Sequence, residues 1–479
     1  MKRVSLLILL LCCVIGTSAQ SRWVSQDNPA APMSERLQNK DYEVSLLQDG
    51  QWQSQNVYGA LTSNYDRHHA NHRDFVGVER FVMGFVMFTD EFQKPIKVRV
   101  TRKGEPFESA EIRPTSYRIK PRRIDPNTVE FTLRSPSQKV SVEFDGDRSS
   151  NIFIIPDLPS ERPVGGDIIY FGRGEHEVGE LWLKSGQTLY LDAGAVVYGQ
   201  LRAEGQSDIK VAGRGIFCGS RADHGERTRN VLVNMEYCKN VEFEGVLFRD
   251  SPSWTLRFLE CEGVHIDNVK QIGWMINSDG VDICNTRHVV IENCFFRNYD
   301  DNLSLKAFNW WSGIGTTYDV VMRDCVLWAD CAHNFLVGPE AVNHRIYDVK
   351  FQNSIILESR EATDPWRGAM AVMISDEGEF ENILFENIEV EDIRGGVVMS
   401  FDYGKYNSRG RAARNITVRN INYRGTQAPR SVIKGWDSEH TIENITLENI
   451  RFNGKRITEK NIDEYLEINQ FVKGLKVGR

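Results

Sequence analysis

The sequence lacks an excess of positive charge, a run of apolar residues long enough to span a bilayer, an even set of cysteines and any sustained 3.6-residue periodicity. Lys and Arg number 58 against 66 Asp and Glu, a formal net charge of -8. No basic field is therefore available to hold nucleic acid or an anionic membrane. The longest apolar run, Val4 to Ile15, falls short of the roughly 20 residues a spanning helix needs. It lies between Met1-Lys2-Arg3 and "GTSAQS", the order of n-region, h-region and small-residue cleavage site that marks export. Cleavage after Ala19 is expected, which makes 1–19 a signal peptide and the mature chain secreted or periplasmic. Cys12 and Cys13 do not follow the small residue that a lipoprotein box needs. The other seven of the nine cysteines are an odd number, which argues against a disulfide framework even after export. They read as small buried hydrophobes.

What is present is a globular composition, 41% hydrophobic and 26% charged, with room for more than one core. From 20 to 161 the chain runs in short alternating segments, among them "RFVMGFVMF", "IKVRV", "VEFTLR", "KVSVEF" and "NIFIIP", broken by Gly, Pro and Asp. This pattern predicts a β-sandwich. The linker-like "PSERPVGGD", Pro159 to Asp167, then precedes a change of pattern.

From 162 to 457 the sequence repeats. "NVEFEGVLF", "GVHIDNVKQ", "HVVIENCFF", "DVVMRDCVL", "DVKFQNSII", "NILFENIEV", "NITVRNINY" and "NITLENIRF" begin at 240, 263, 288, 319, 348, 382, 415 and 444. Such loose spacing marks a solenoid, and period-2 alternation makes its units strands stacked coil on coil, a parallel β-helix. Five residues after each start stands Gly245, Asn268, Asn293, Asp324, Asn353, Asn387, Asn420 or Asn449. Stacked amides in such a column can hydrogen-bond between coils where the chain bends. Cys238, Cys261 and Cys284, at equal intervals, are expected as an interior column. The tail from 458 to 479 loses the repeat and is expected to form a short amphipathic helix or a cap, which an open solenoid end requires.

One segment, "NSDGVDICNTRHVVIENCFFRNYDDNLSLK" from Asn277 to Lys306, holds four aspartates. Aligning the alternating pairs Val281/Ile283, Leu303/Leu305 and Phe335/Val337 sets Asp279, Asp301 and His333 in one column. Asp300 stands beside it and Trp254 one coil below. With strands about 4.8 Å apart this is a compact acidic cluster. Crowded carboxylates repel, so one should hold a proton while another stays ionised, the two states that glycoside hydrolysis uses. A ladder of Asp turns and an oxygen-ligand Ca²⁺ site stay open as alternatives.

Asn277-Ser278-Asp279 followed by Asp300-Asp301 resembles the "NTD…DD" signature of the polygalacturonase superfamily of β-helix glycosidases, which includes polygalacturonases and, more distantly, dextranases and isopullulanase. "GAVVYGQL" and "GRGIF", at 194–201 and 213–217, resemble the first coils of these enzymes. The N-terminal region is similar to the sandwich that precedes the helix in dextranase-type members. The resemblance implies a right-handed helix, no cofactor, no metal, and hydrolysis of α-linked polysaccharide or oligosaccharide by single displacement with inversion. Asp300 is then the general acid, and Asp279 with Asp301 holds and deprotonates the water. A separation near one coil spacing would by itself suggest retention, since inverting pairs stand roughly 6.5–9.5 Å apart. The family's Gly-His-Gly is replaced by "CAHNFLVGPE" at 331–340, with His333 one place late. Its Arg-Ile-Lys is replaced by "GAMAVMIS" at 368–375. These departures favour a neutral sugar over galacturonate, unless Arg360, Arg367 or Lys306 supplies the cation.

Further candidate substrate contacts are Asn277 and the aromatic residues Trp254, Trp310, Trp311, Trp366 and Tyr403, whose rings can stack on sugar faces. Lys306 is a candidate to orient Asp300 or touch substrate, and His333 to tune Asp301. His68, His69 and His72 lack a ligand pattern around them and read as a polar loop. "NLS" at 302 and "NIT" at 415 and 444 fall in strand repeats and are assigned no glycan. Two rivals remain: a β-helix lyase using Ca²⁺, and a carbohydrate-binding solenoid without catalysis.

Overall fold

Short alternating segments joined by tight turns give two kinds of β structure here. The computed structural model describes residues 33, 35–64, 79–223, 230–309, 315–360, 368–404, 408–426 and 429–478. The N-terminal segments form two five-stranded sheets. In one, Ile96–Arg102 pairs antiparallel with Tyr42–Gln48 and with Thr128–Leu133. In the other, Ile152–Asp157 lies parallel to Glu79–Thr89 and antiparallel to Val140–Phe144. Val44, Leu46, Val98, Phe131, Val142, Ile152 and Ile154 fill the space between them. The strand "IFIIPD" does not alternate because both its faces are buried. Ile152 and Ile154 face the sandwich core, while Phe153 and Ile155 pack on the second body of the protein.

That body is a right-handed parallel β-helix, a single sheet of 31 strands from Asp167 to Gly478. Each middle coil contributes one strand to each of three ladders. Ladder A contains Leu256–Leu259, Val281–Cys284, Leu303–Lys306 and Phe335–Val337. Ladder B contains Glu262–Asp267, Arg287–Glu292 and Thr317–Arg323. Ladder C contains Lys270–Ile272, Phe295–Asn298 and Val326–Ala329. Alternate residues of the strands in the middle coils point inward and make one continuous apolar core.

The Asn column joins ladders B and C, and all eight of its residues have left-handed backbone, with φ from 49° at Asn449 to 80° at Gly245. That conformation, which Gly and Asn adopt with least penalty, explains the residue types as directly as the amide bonds do. Rungs are formed from Asn387 Nδ2 to Asn353 Oδ1 at 2.9 Å, Asn420 to Asn387 at 2.8 Å and Asn449 to Asn420 at 2.9 Å. A second left-handed column starts ladder B, including Asn382, Asn415 and Asn444.

The cysteine column is corrected by the register. Cys238 and Cys261 precede equivalent strands, but Cys284 lies opposite Leu259, on the outer face with Trp254 and Phe308. Thr286 takes the expected position, where its Oγ1 accepts from Cys261 N at 2.9 Å. All seven described cysteines are free and buried. The chain after Ile457 forms no α-helix: Leu466–Ile468 and Lys476–Gly478 add parallel strands to the end of the stack. Stacking needs only backbone donors and acceptors, so it continues where the side-chain repeat has faded.

The sandwich docks on the outer face of ladder C. Met83, Phe85, Phe153 and Ile155 meet Val196, Ile216, Leu247, Phe295 and Trp328. Lys270 interrupts this apolar column with no exposure, hydrogen-bonded to Asp157 and to Gly245 O. Burial lowers its pKa to about 8. Arg297 ties Asp330 on ladder C, at 2.9 Å, to Asn151 Oδ1 of the sandwich at 2.7 Å. Buried pairs of this kind cost much of their attraction in desolvation; what they fix is how the two bodies meet.

Asn420→Val forces a β-branched side chain into a φ of 55° and removes two rungs, and should lower stability by about 1–3 kcal/mol. Asn420→Gly keeps the backbone geometry and should lose less. Thermal unfolding of the two variants tests this; equal losses would make the amide, not the backbone, the governing factor.

Candidate active site

The column aligned from sequence exists in the backbone bonds of ladder A. Leu232 N donates to Trp254 O at 3.0 Å, Thr255 N to Asp279 O at 2.8 Å, Gly280 N to Asp301 O at 2.7 Å and Asn302 N to His333 O at 2.9 Å. Trp254, Asp279, Asp301 and His333 thus occupy one position in four successive coils. Behind it runs a buried amide chain. Asn298 Nδ2 donates to Gln271 Oε1 and to Asn302 Oδ1, both at 2.9 Å, and Asn302 Nδ2 to Asn334 Oδ1 at 2.7 Å. A Cβ at Gly280 would stand 2.5 Å from both Asn302 O and Gln271 Oε1, so only glycine can follow Asp279.

Asp301 Oδ1 accepts from His333 N at 3.0 Å and meets His333 Nδ1 at 2.6 Å. Asp300 is partly exposed and its Oδ1 accepts from Asp301 N at 3.1 Å. Asp279 is 4% exposed. Burial first, then the charges of Asp282 and Asp300, drive its pKa well above the usual carboxylate range against the pull of Lys306. Asp282 is raised to about 7, again chiefly by burial and opposed by Lys306.

Lys306, 4% exposed, is not turned to solvent. Its Nζ lies 3.0 Å from Glu340 Oε2, 3.1 Å from Asp282 Oδ1 and 3.7 Å from Asp279 Oδ2. It sits over the Trp254 ring, 4.0 Å from the centroid. Trp254 is therefore no sugar platform: it is 1% exposed and one face carries the ammonium. Tyr403 is likewise inside the core, with its hydroxyl donating to Thr441 O at 2.9 Å. Asn277 is partly exposed, with a φ of 59° that turns the chain into Asp279. Trp310, Trp311, Trp366 and Arg367 lie outside the described residues, as do His68, His69 and His72.

Two acids assigned no role from the sequence belong to the cluster. Asp282 was accessible in principle, because it alternates with inward Val281 and Ile283 and so points out beside Asp279. Glu340 had no local signal, since only the path of the chain beyond Val337 brings it to Lys306.

The sequence pattern of glycosyl hydrolases family 28 matches residues 194–468, more than half of the chain. The chain belongs to glycosyl hydrolases family 28. A polygalacturonase of Juniperus ashei is 24% identical over 271 residues, 53% of this chain and 50% of that protein. A polygalacturonase of Chamaecyparis obtusa is 30% identical over 104 residues, 21% of this chain and 20% of that protein. This family 28 chain thus spans half or less of the length of those relatives. Dex49A from Penicillium minioluteum has the same fold, with a TM-score of 0.64 at 14% identity, covering 94% of this chain and 96% of its own.

Asp282 gives a pH prediction for this family 28 site. Its pKa is 3.8 ordinarily and about 7 when folded, so across that window the native state holds a proton that the unfolded chain has released. Stability should fall as pH rises from about 4 to about 7. Asp282→Asn should flatten that slope in melting temperatures measured across the range; an unchanged slope would mean that Asp282 is ionised in the folded protein.

Proposed function

We propose that the chain hydrolyses α-linked, uncharged polysaccharide or oligosaccharide by single displacement with inversion. The observation that carries this reading is the convergence of Asp279, Asp300 and Asp301 from two adjacent coils, in a family 28 chain. Asp300, the most exposed of the three, gives its proton to the glycosidic oxygen as the bond to the anomeric carbon breaks. Asp279 and Asp301 hold a water, which attacks that carbon from the opposite face and passes its proton to the pair. His333 orients Asp301. Acid and base assistance of this type contributes about 10²–10⁴ in rate.

A neutral substrate is favoured by the cations of this face. Lys306 is surrounded by carboxylates, and Arg257 is buried on Asn234 Oδ1 at 2.7 Å and Glu236. Arg360 is 1% exposed beside Glu358. We further propose export with removal of residues 1–19, which N-terminal sequencing of the mature protein tests.

The deciding experiment is reducing-sugar release from dextran, pullulan, other α-glucans, galacturonan and rhamnogalacturonan, with Asp300→Asn alongside. Cleavage of a neutral α-glucan, lost by orders of magnitude in the variant, is expected. Cleavage of galacturonan would overturn the neutral assignment. An ultraviolet-absorbing product abolished by chelator would point to a lyase, and binding without turnover to a non-catalytic solenoid. Proton NMR of the first product reads the anomeric configuration, and retention would make one carboxylate a nucleophile. A hydrogen bond to a charged group contributes about 1.5–3 kcal/mol, so His333→Ala should lower kcat/KM by about tenfold to a hundredfold; an unchanged kcat/KM would remove His333 from the site.

A further inference from the structure

The buried ammonium of Lys306 draws contacts from four successive coils: Trp254, then Asp279 and Asp282, its own coil, and Glu340 above. The distances are not equal. Glu340 at 3.0 Å and Asp282 at 3.1 Å are the close ion-pair partners, and Asp279 at 3.7 Å is the distant one. Asp279 Oδ1, like both oxygens of Asp282, has no hydrogen-bond partner among the described residues, so the three carboxylates differ in their distance from the ammonium.

We propose that Glu340 is a positioning residue: with Asp282 it holds the Lys306 ammonium off Asp279, which feels the positive charge without being bound by it. A carboxylate closed into a direct ion pair would be a poor base for water, and one without any nearby cation, at this burial, would stay protonated. The arrangement leaves Lys306 opposing, without closing on Asp279, the burial and the neighbouring carboxylates that push its pKa up. The inference rests on reading Asp279 as a water-holding carboxylate. Asp279 is also faced by Asp300 and Asp301. Lys306 is also faced by Cys284. Glu340 is itself fixed through its backbone N, which donates to Asp376 Oδ2 at 2.8 Å.

Two variants should move the site in opposite directions. Glu340→Gln frees the ammonium to close on Asp279, lowers kcat and shifts the acidic limb of the pH–rate profile down. Lys306→Met removes the cation, lowers kcat and shifts the same limb up, by about one pH unit or more. Lys306→Arg, which keeps the charge, should restore most of that shift. The protonated-carboxyl infrared band lost in Asp279→Asn gives the same midpoints without turnover. Should Glu340→Gln not fold, Asp282→Asn removes the other close acceptor and carries the same downward prediction. Midpoints that stay put, or that move together in both variants, would overturn the proposal and leave Glu340 a structural residue. Failure of the hydrolase reading is distinguishable, because no polymer would be cleaved while the infrared midpoints still diverged.

Discussion

The backbone hydrogen bond between successive coils is the constraint on which this protein depends. It repeats every strand at about 4.8 Å and so converts residues more than twenty positions apart in sequence into direct neighbours. Asp279, Asp301 and His333 are adjacent because Gly280 and Asn302 donate to the coil above. The left-handed Asn columns repeat the same corner from coil to coil, and the stack continues past the site even where ladder C takes a bulge between Leu327 and Trp328.

Electrostatics is then built on that register at close quarters. Five acidic side chains gather about Lys306 and His333, where burial makes each charge expensive unless it is partnered or protonated. The cluster's proton content is consequently a property of the group. The amide chain of Gln271, Asn298, Asn302 and Asn334 holds the backbone behind it with neutral hydrogen bonds, adding rigidity without adding charge.

Much of this was legible because β structure writes itself in alternation. The pairs Val281/Ile283 and Leu303/Leu305 gave the register of ladder A, and the register gave the acidic column. Where alternation fails, legibility fails for a physical reason. "IFIIPD" and "CFF" are continuous apolar runs because a sheet lies on each side, which one strand's pattern cannot distinguish from an irregular core. Trp254 looked like a platform, since sequence gives the column but not which way a ring lies once an ammonium occupies its face. Glu340 was illegible because its position depends on a turn whose path no period dictates. Cys284 is misplaced by equal sequence intervals because the connection before its strand, 273–280, is two residues longer than 250–255 in the coil below, and that shift moves it from the interior to the outer face.

The connections between ladders differ in how much length they allow. Between B and C they stay at one left-handed residue and one buried residue, 268–269, 293–294, 324–325 and 353–354, beside the face that receives the sandwich. Between A and B they range from 285–286 to 307–316 and 338–344, and between C and A from 299–302 to 273–280. Insertions are thus admissible around the acidic cluster and excluded at the docked face. Such a molecule can lengthen or reshape the rim of its groove over evolutionary time, and so change which polymer fits, while the scaffold that aligns the carboxylates is inherited intact.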